Sequence, residues 1–293
     1  MSKFREMVKR ELALHGYSLD EDAKKDNEYL RHSIDKFDEY IAKLTKQINP
    51  NEYYFDSDMN LVVQLAEEFG KVAVVITFED EKSPYANGTY NRNDVIQIIL
   101  GNIFDLDNKV DIVRDRDPIT YEDNKISILG DDLLHLVNSN NVRSTFVHEY
   151  QHFIDDKQRN YLAKSSDKLK SAIQDLPADE RRERYKGLYY NSAHENNAHY
   201  MTLLHDISAE LRKQADVNLA LLTPEQRLEL FLDNISRPGS DFRALYKKLD
   251  KKLQRHLINR LYKYFSADFW NDRKKEIEDQ ELNNIISEWF GQS

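Results

Sequence analysis

The sequence contains no cysteine among its 293 residues. This absence excludes disulfide scaffolds, thiol catalysis and zinc sites built from cysteine. Glycine (8) and proline (6) are scarce, which disfavours a turn-dense all-β sandwich and favours long helices. No apolar run approaches the roughly 20 residues that cross a bilayer, and residues 1–22 lack the apolar core of a signal peptide. We therefore expect a cytoplasmic protein with no membrane partner.

The chain is acidic, with 42 Lys and Arg against 52 Asp and Glu and a net charge of −10. This balance favours solubility and argues against general binding to nucleic acid or anionic membranes. Aromatic side chains are plentiful, with 17 Tyr and 13 Phe, so the chain is not a disordered polyelectrolyte. Its length suffices for one large or two ordinary domains with a sizeable core.

The hydrophobic pattern predicts a helix-rich α/β (α+β) protein in three parts. Residues 1–56 form a helical N-terminal arm, 57–212 the α/β core, and 213–293 a helical C-terminal subdomain. Within the core we expect a helix at 57–69 ended by Gly70, strands at 72–78, 94–100 and 126–129, a turn at 87–88, helices at 131–138, 142–159 and 188–212, and a charged helix-turn-helix insertion at 163–186. In the last part we expect a helix starting at Thr223-Pro224 and a long helix over 245–261 with a leucine every fourth residue.

One segment carries a catalytic pattern. His148, Glu149 and His152 form H-E-x-x-H in the stretch 142–159, which has no glycine or proline. Two histidines four residues apart lie on one face of a helix, where both imidazoles can bind one Zn²⁺. Glu149 can then deprotonate a water that the metal activates. The alternative is a helix that merely carries exposed histidines.

Such a site needs a third protein ligand. The metzincin pattern requires Gly at 155 and His at 158, but the chain has Asp155 and Gln158, which excludes that class. Asp155 is too near His152 along one helix to complete a tetrahedral site easily. The better candidate is Glu195 in the helical segment 191–200. His194 and His199 are rivals, and His199 could also be a partner of a ligand, an electrophile or an ordinary helix histidine.

These residues resemble a known family. H-E-Y-Q-H followed by a helical Glu-x-Asn-Ala segment resembles the gluzincin zinc metallopeptidases, and residues 190–198 and 260–264 are similar to segments of metallopeptidases encoded by bacteriophages. The resemblance implies a zincin-like core with a small mixed sheet and one Zn²⁺ per chain, held by His148, His152 and Glu195. It also implies Glu149 as the catalytic carboxylate, a protein or peptide substrate, and a location in the host cytoplasm or the virion.

The chain departs from that family in two places. Thermolysin-like members usually have an acidic residue where this chain has His199, and the separation between His152 and Glu195 is longer here. The donor that stabilises the oxyanion stays open among four residues: Tyr185, Tyr189, Tyr190 and His194. In zincins an edge strand pairs with the substrate backbone, and we expect residues 94–100 to fill that role.

Two alternatives to a peptidase remain. Residues 247–263 contain seven basic side chains and one acidic side chain: Lys247, Lys248, Lys251, Lys252, Arg255, Arg260 and Lys263, with Asp250. This stretch is either the solvated face of a helix or a contact for nucleic acid or an acidic partner. The other alternative is a phage virion or assembly protein that keeps the zincin fold with little catalysis.

Overall fold

The structure is a computed structural model that describes residues 4–8, 21–55, 59, 61–79, 86–91, 93–104, 119–122, 125–159, 176–213, 222–237, 240–265 and 269–270. Over these residues the protein is helix-rich α+β with a small mixed sheet, as the sequence predicts. The chain divides into two compact units, one of Arg31–Thr202 and one of Met1–Leu30 with Leu203–Ser293. None of the described helices combines the length and apolar character needed to cross a membrane.

The described helices and strands follow in chain order: α1 (Glu21–Leu44), β1 (Tyr53–Phe55), β2 (Leu61–Glu67), β3 (Gly70–Thr77), β4 (Gly88–Asn91), β5 (Val95–Ile99), α2 (Leu100–Phe104), β6 (Ile119–Glu122), β7 (Lys125–Leu129), α3 (Gly130–Val137), α4 (Asn140–Arg159), α5 (Ala178–Tyr190), α6 (Ala193–Lys213), α7 (Pro224–Ser236), α8 (Asp241–Tyr246) and α9 (Lys251–Lys263). The predicted strands at 72–78, 94–100 and 126–129 and the predicted helices at 131–138 and 142–159 are thereby confirmed within a few residues. Residues 163–175 of the predicted insertion lie outside the described part, and 178–186 belong to α5.

The predicted helix at 57–69 is wrong, because its described residues 61–67 form strand β2. Side chains alternate between buried and exposed along β2, with Leu61, Val63 and Leu65 inside. This two-residue period buries one face of a strand, whereas a helix would bury every third or fourth residue. Gly70 opens the next strand at φ +127°, a backbone conformation that other residues rarely adopt. It therefore closes a tight antiparallel hairpin between β2 and β3 rather than ending a helix.

Strands β2 to β5 form the mixed sheet, in the order β2-β3-β5-β4. β5 runs parallel to β3 and antiparallel to β4, with Val74 and Tyr90 both opposite Ile96. The expectation that residues 94–100 form the edge strand is wrong, since β5 lies inside the sheet. Among the described strands the edge on this side is β4, whose first residue, Gly88, was assigned to a turn.

Helix α4 packs against β4 and β5. Its buried face carries the aromatic and aliphatic side chains that surround the H-E-x-x-H motif: Phe146, Val147, Tyr150, Phe153 and Ile154. Phe146 stacks on Tyr40 of α1 at a ring separation of 5.7 Å. The motif helix therefore packs through apolar side chains against both the sheet and α1. A second, antiparallel sheet of order β1-β7-β6 completes the strands described in this unit.

In the other unit, α7 begins as predicted, with Thr223 capping the helix and Gln226 closing a capping box. The prediction of one long helix over 245–261 is wrong, because residues 247–250 are not helical and separate α8 from α9. Asp250 caps α9 by accepting a hydrogen bond from the backbone N–H of Leu253 at 2.9 Å. A residue that favours the cap position thus interrupts a continuous four-residue leucine repeat.

Candidate metal centre

Helices α4 and α6 bring the three predicted ligands together. Oε2 of Glu195 lies 3.7 Å from Nε2 of His148, and Oε1 of Glu195 lies 3.5 Å from Nε2 of His152. Ligand atoms about 2.0–2.1 Å from one tetrahedral zinc are about 3.3 Å apart, so small side-chain movements would place either pair on one ion. The H-E-x-x-H spacing brings the two imidazoles to one face of α4, with ring centroids 4.9 Å apart.

Two further histidines complete what we call the Glu195 cluster: Glu195 with His148, His152, His194 and His199. Nε2 of His194 lies 3.4 Å from Oε1 of Glu195, and Nε2 of His199 lies 3.8 Å from Oε2. Potential ligand atoms of His148, Glu195 and His199 all lie within 4.8 Å of one another. His199 therefore joins the predicted ligands as a candidate in its own right, beside His152.

The donor set of the cluster fits a cation. Glu195 is only 2 % exposed, and its Oε2 has no hydrogen-bond partner among the described residues. Burial alone would raise the pKa of Glu195, but favourable interactions with His148 and His194 outweigh it and hold that pKa well below its usual range. A buried, charged carboxylate with an unsatisfied oxygen is costly unless a cation balances it.

The two motif histidines differ in their electrostatics. Burial, followed by the charge of His148, lowers the pKa of His152 to about 3, so its ring is neutral at neutral pH and offers a lone pair. Burial opposes the charge on His148, but Glu195 and Glu149 outweigh it and raise its pKa. A metal at this position would therefore compete with a proton on His148.

Glu149 is buried beside the cluster, at the edge of the sheet. Burial raises the pKa of Glu149 to about 7, against a smaller lowering by His148 and by a hydrogen bond from the backbone N–H of Tyr90 in β4. Glu195 also acts on this carboxyl and raises its pKa further. A carboxyl with a pKa near neutrality can both take up and release a proton.

Several polar residues that contact the predicted ligands or Asp155 are not specified by a sequence motif, so the sequence analysis did not identify them. Oγ1 of Thr202 lies 3.4 Å from Nδ1 of His148. Asp155, the rival ligand on α4, is buried and accepts hydrogen bonds from Nε2 of Gln151 at 3.1 Å and Nδ2 of Asn197 at 3.1–3.2 Å. Asp155 thus joins α4 to α6 and does not belong to the Glu195 cluster.

The four candidate oxyanion donors differ in the groups that they contact. The phenol of Tyr189 interacts with both Glu195 and Glu149, and burial together with these carboxylates raises its pKa. Tyr190 instead stacks on His199 at 5.9 Å. Tyr185 is 43 % exposed and stacks on Tyr189 at 5.9 Å. His194 is part of the cluster itself. Tyr189 is therefore the candidate for which an interaction with both carboxylates is described.

No family model matches the chain, and searches of curated proteins and of solved structures found no match either.

Proposed function

We propose that the protein is a zinc-dependent metallopeptidase. The observation that carries this proposal is the buried Glu195 carboxylate, with Nε2 of both H-E-x-x-H histidines within 3.7 Å of its oxygens. Two imidazoles, which bind a metal in their neutral form, and one carboxylate are a donor set that suits Zn²⁺. A bound Zn²⁺ would polarise a peptide carbonyl and make water acidic enough to be deprotonated near pH 7.

The residues of the chain have distinct roles in this proposal. His148, His152 and Glu195 would hold the metal, and His199, whose ring lies next to that of His148, would be a further ligand. Glu149, buried beside the cluster, would accept the proton of the attacking water and pass it to the leaving amine. The hydroxyl of Tyr189 donates a hydrogen bond to the oxygen on which negative charge develops.

Metal analysis tests the ligand assignment. We expect about one zinc per chain in the purified protein, as for a single site with three protein ligands. Glu195→Ala should lose the metal, whereas His135→Ala should keep it, because His135 is exposed on α3 and lies outside the cluster. Comparison of His152→Ala with His199→Ala then shows which imidazole is the stronger ligand. A protein that takes up no zinc, or a Glu195→Ala variant that binds it as tightly as the parent, refutes the proposal.

Peptide cleavage tests the activity. The zinc-loaded protein is incubated with a mixture of unstructured peptides, and new termini are identified by mass spectrometry. Glu149→Gln should retain zinc but lose about 10²- to 10⁴-fold in rate, because the amide cannot accept the proton. Zinc binding without any Glu149-dependent cleavage would leave a metal-binding protein that is not a peptidase.

The basic residues just before α9 and in its first turns support a second candidate function, binding to nucleic acid. Lys247, Lys251 and Lys252 are exposed, together with Lys248 and Arg255. If these side chains contact phosphates, affinity for DNA or RNA falls steeply with salt, and replacing four lysines by glutamine flattens that dependence. Salt-independent or absent binding would discard this candidate.

A further inference from the structure

Tyr90 contacts the motif helix at two points. Its backbone N–H, on the edge strand β4, donates a hydrogen bond to the carboxylate of Glu149. Its hydroxyl lies 3.1 Å from Oδ2 of Asp156, which is also on α4. Glu149 and Asp156 are about two helical turns apart and therefore lie on the same side of α4. One strand residue thus spans the part of the helix that contains His152.

The hydroxyl end of Tyr90 is itself fixed. It also lies 3.1 Å from Oδ1 of Asp94, so two carboxylates surround one phenol proton. Nζ of Lys157 contacts Oδ2 of Asp94 at 2.7 Å and balances part of this negative charge. The ring of Tyr90 packs edge-on against Phe153 at 5.9 Å. Burial and both carboxylates raise the pKa of Tyr90, so its hydroxyl remains a donor.

The strand can approach the helix this closely because of Gly88. A Cβ atom at position 88 would lie 2.7 Å from Cγ2 of Thr145 and 2.9 Å from Cγ of Glu149. Cγ of Glu149 therefore lies close to the backbone of β4 at Gly88. The Glu149 carboxylate accepts the hydrogen bond from the backbone N–H of Tyr90, two residues after Gly88. Both ends of the Glu149 side chain are thus determined by β4.

We propose that Tyr90 is a positioning residue for Glu149. The hydroxyl of Tyr90 ties β4 to the turn of α4 that follows the motif, and the backbone N–H then holds the Glu149 carboxylate in one orientation. The role in catalysis rests on the proposed peptidase function, but the tie between strand and helix does not. Loss of the hydroxyl should leave the metal ligands in place while Glu149 becomes free to turn away from the attacking water.

Tyr90→Phe isolates the hydroxyl, since the ring contact with Phe153 and the backbone N–H both remain. For cleavage of a peptide by the zinc-loaded protein, we expect kcat to fall about 10- to 100-fold, the scale for a misplaced catalytic group, with KM and zinc content unchanged. Asp156→Ala should behave like Tyr90→Phe, and the double variant should be no worse than either. Asp156→Asn keeps an acceptor for the hydroxyl and should restore most of the rate. Tyr53→Phe, at an exposed tyrosine of β1, is the matched control.

An activity-independent measurement separates the two proposals. Hydrogen exchange of the backbone amide at position 90 is measured by NMR on the full chain. It should accelerate about tenfold or more in Tyr90→Phe and in Glu149→Ala, but not in Tyr53→Phe. Unchanged exchange and unchanged kcat in Tyr90→Phe would overturn the positioning role while the peptidase remains. Faster exchange in a protein that cleaves no peptide would support the tie and refute the peptidase.

Discussion

Replacing Gly88 by alanine would test the contact between β4 and α4 directly. The added Cβ would meet Cγ2 of Thr145 at 2.7 Å, Cγ of Glu149 at 2.9 Å and the backbone oxygen of Gln97 at 3.1 Å. Carbon atoms pack at about 3.5–4.0 Å, so the strand and the helix must separate by several tenths of an ångström or more. Overpacking of this kind costs about 1–3 kcal/mol of the free energy of unfolding. Urea denaturation followed by circular dichroism measures this loss.

A second substitution shows whether the loss comes from this contact. Thr145→Ser removes Cγ2 but keeps the hydroxyl, which donates to the carbonyl of Asn141 at 2.9 Å. In the Gly88→Ala background it should therefore recover part of the lost stability, while the contact with Glu149 remains. The two effects must be non-additive, because the atoms concerned touch each other. If Gly88→Ala is as stable as the parent, or if the two substitutions simply add, the proposed close approach of strand and helix is refuted.

Three further predictions concern stability and metal binding. Gly187→Ala, at an exposed position of α5 where a Cβ meets nothing within 4 Å, should stabilise the protein by up to about 1 kcal/mol, since alanine favours a helix over glycine; lower stability in urea would contradict this. Asn197→Ala removes one donor from the buried carboxylate of Asp155 and should cost about 1–3 kcal/mol, whereas an unchanged urea midpoint would show that Gln151 suffices. Zinc at about 100 times its dissociation constant should stabilise the parent by about 2.7 kcal/mol in thermal unfolding; chelator should reverse the effect, and an equal gain in Glu195→Ala would place the metal elsewhere.

The sequence was most informative where the relevant geometry is local. The separation of His148 and His152 fixes both rings on one helix face whatever the tertiary structure, so the motif could be identified without a fold. Glu195 could be predicted as a candidate ligand because its helix is also predictable from sequence. That His194 and His199 approach the same carboxylate depends on how α4 and α6 pack, which residue spacing alone does not determine.

The strands show the limit more clearly. The residues of β2 include consecutive apolar side chains that also suit a helix, and only pairing with β3 decides for the two-residue period. β4, with the sequence Gly-Thr-Tyr-Asn, has no apolar run at all. The position of β4 follows from its pairing with β5 and from the missing side chain of Gly88. The sequence analysis therefore assigned the edge position to β5 instead of β4.

The order of the two units along the chain bears on how the protein folds during synthesis. Arg31–Thr202 is one continuous stretch, whereas the other unit combines Met1–Leu30 with Leu203–Ser293. Ion pairs join its two stretches: Nε of Arg260 lies 3.0 Å from Oδ2 of Asp26, across 234 positions in sequence, and Arg5 pairs with Asp233 at 2.7 Å. These contacts must wait until the C-terminal residues emerge from the ribosome, and they close a long loop. The continuous stretch contains all residues of the Glu195 cluster and is translated before residues 203–293. The candidate centre can therefore assemble before the other unit is complete.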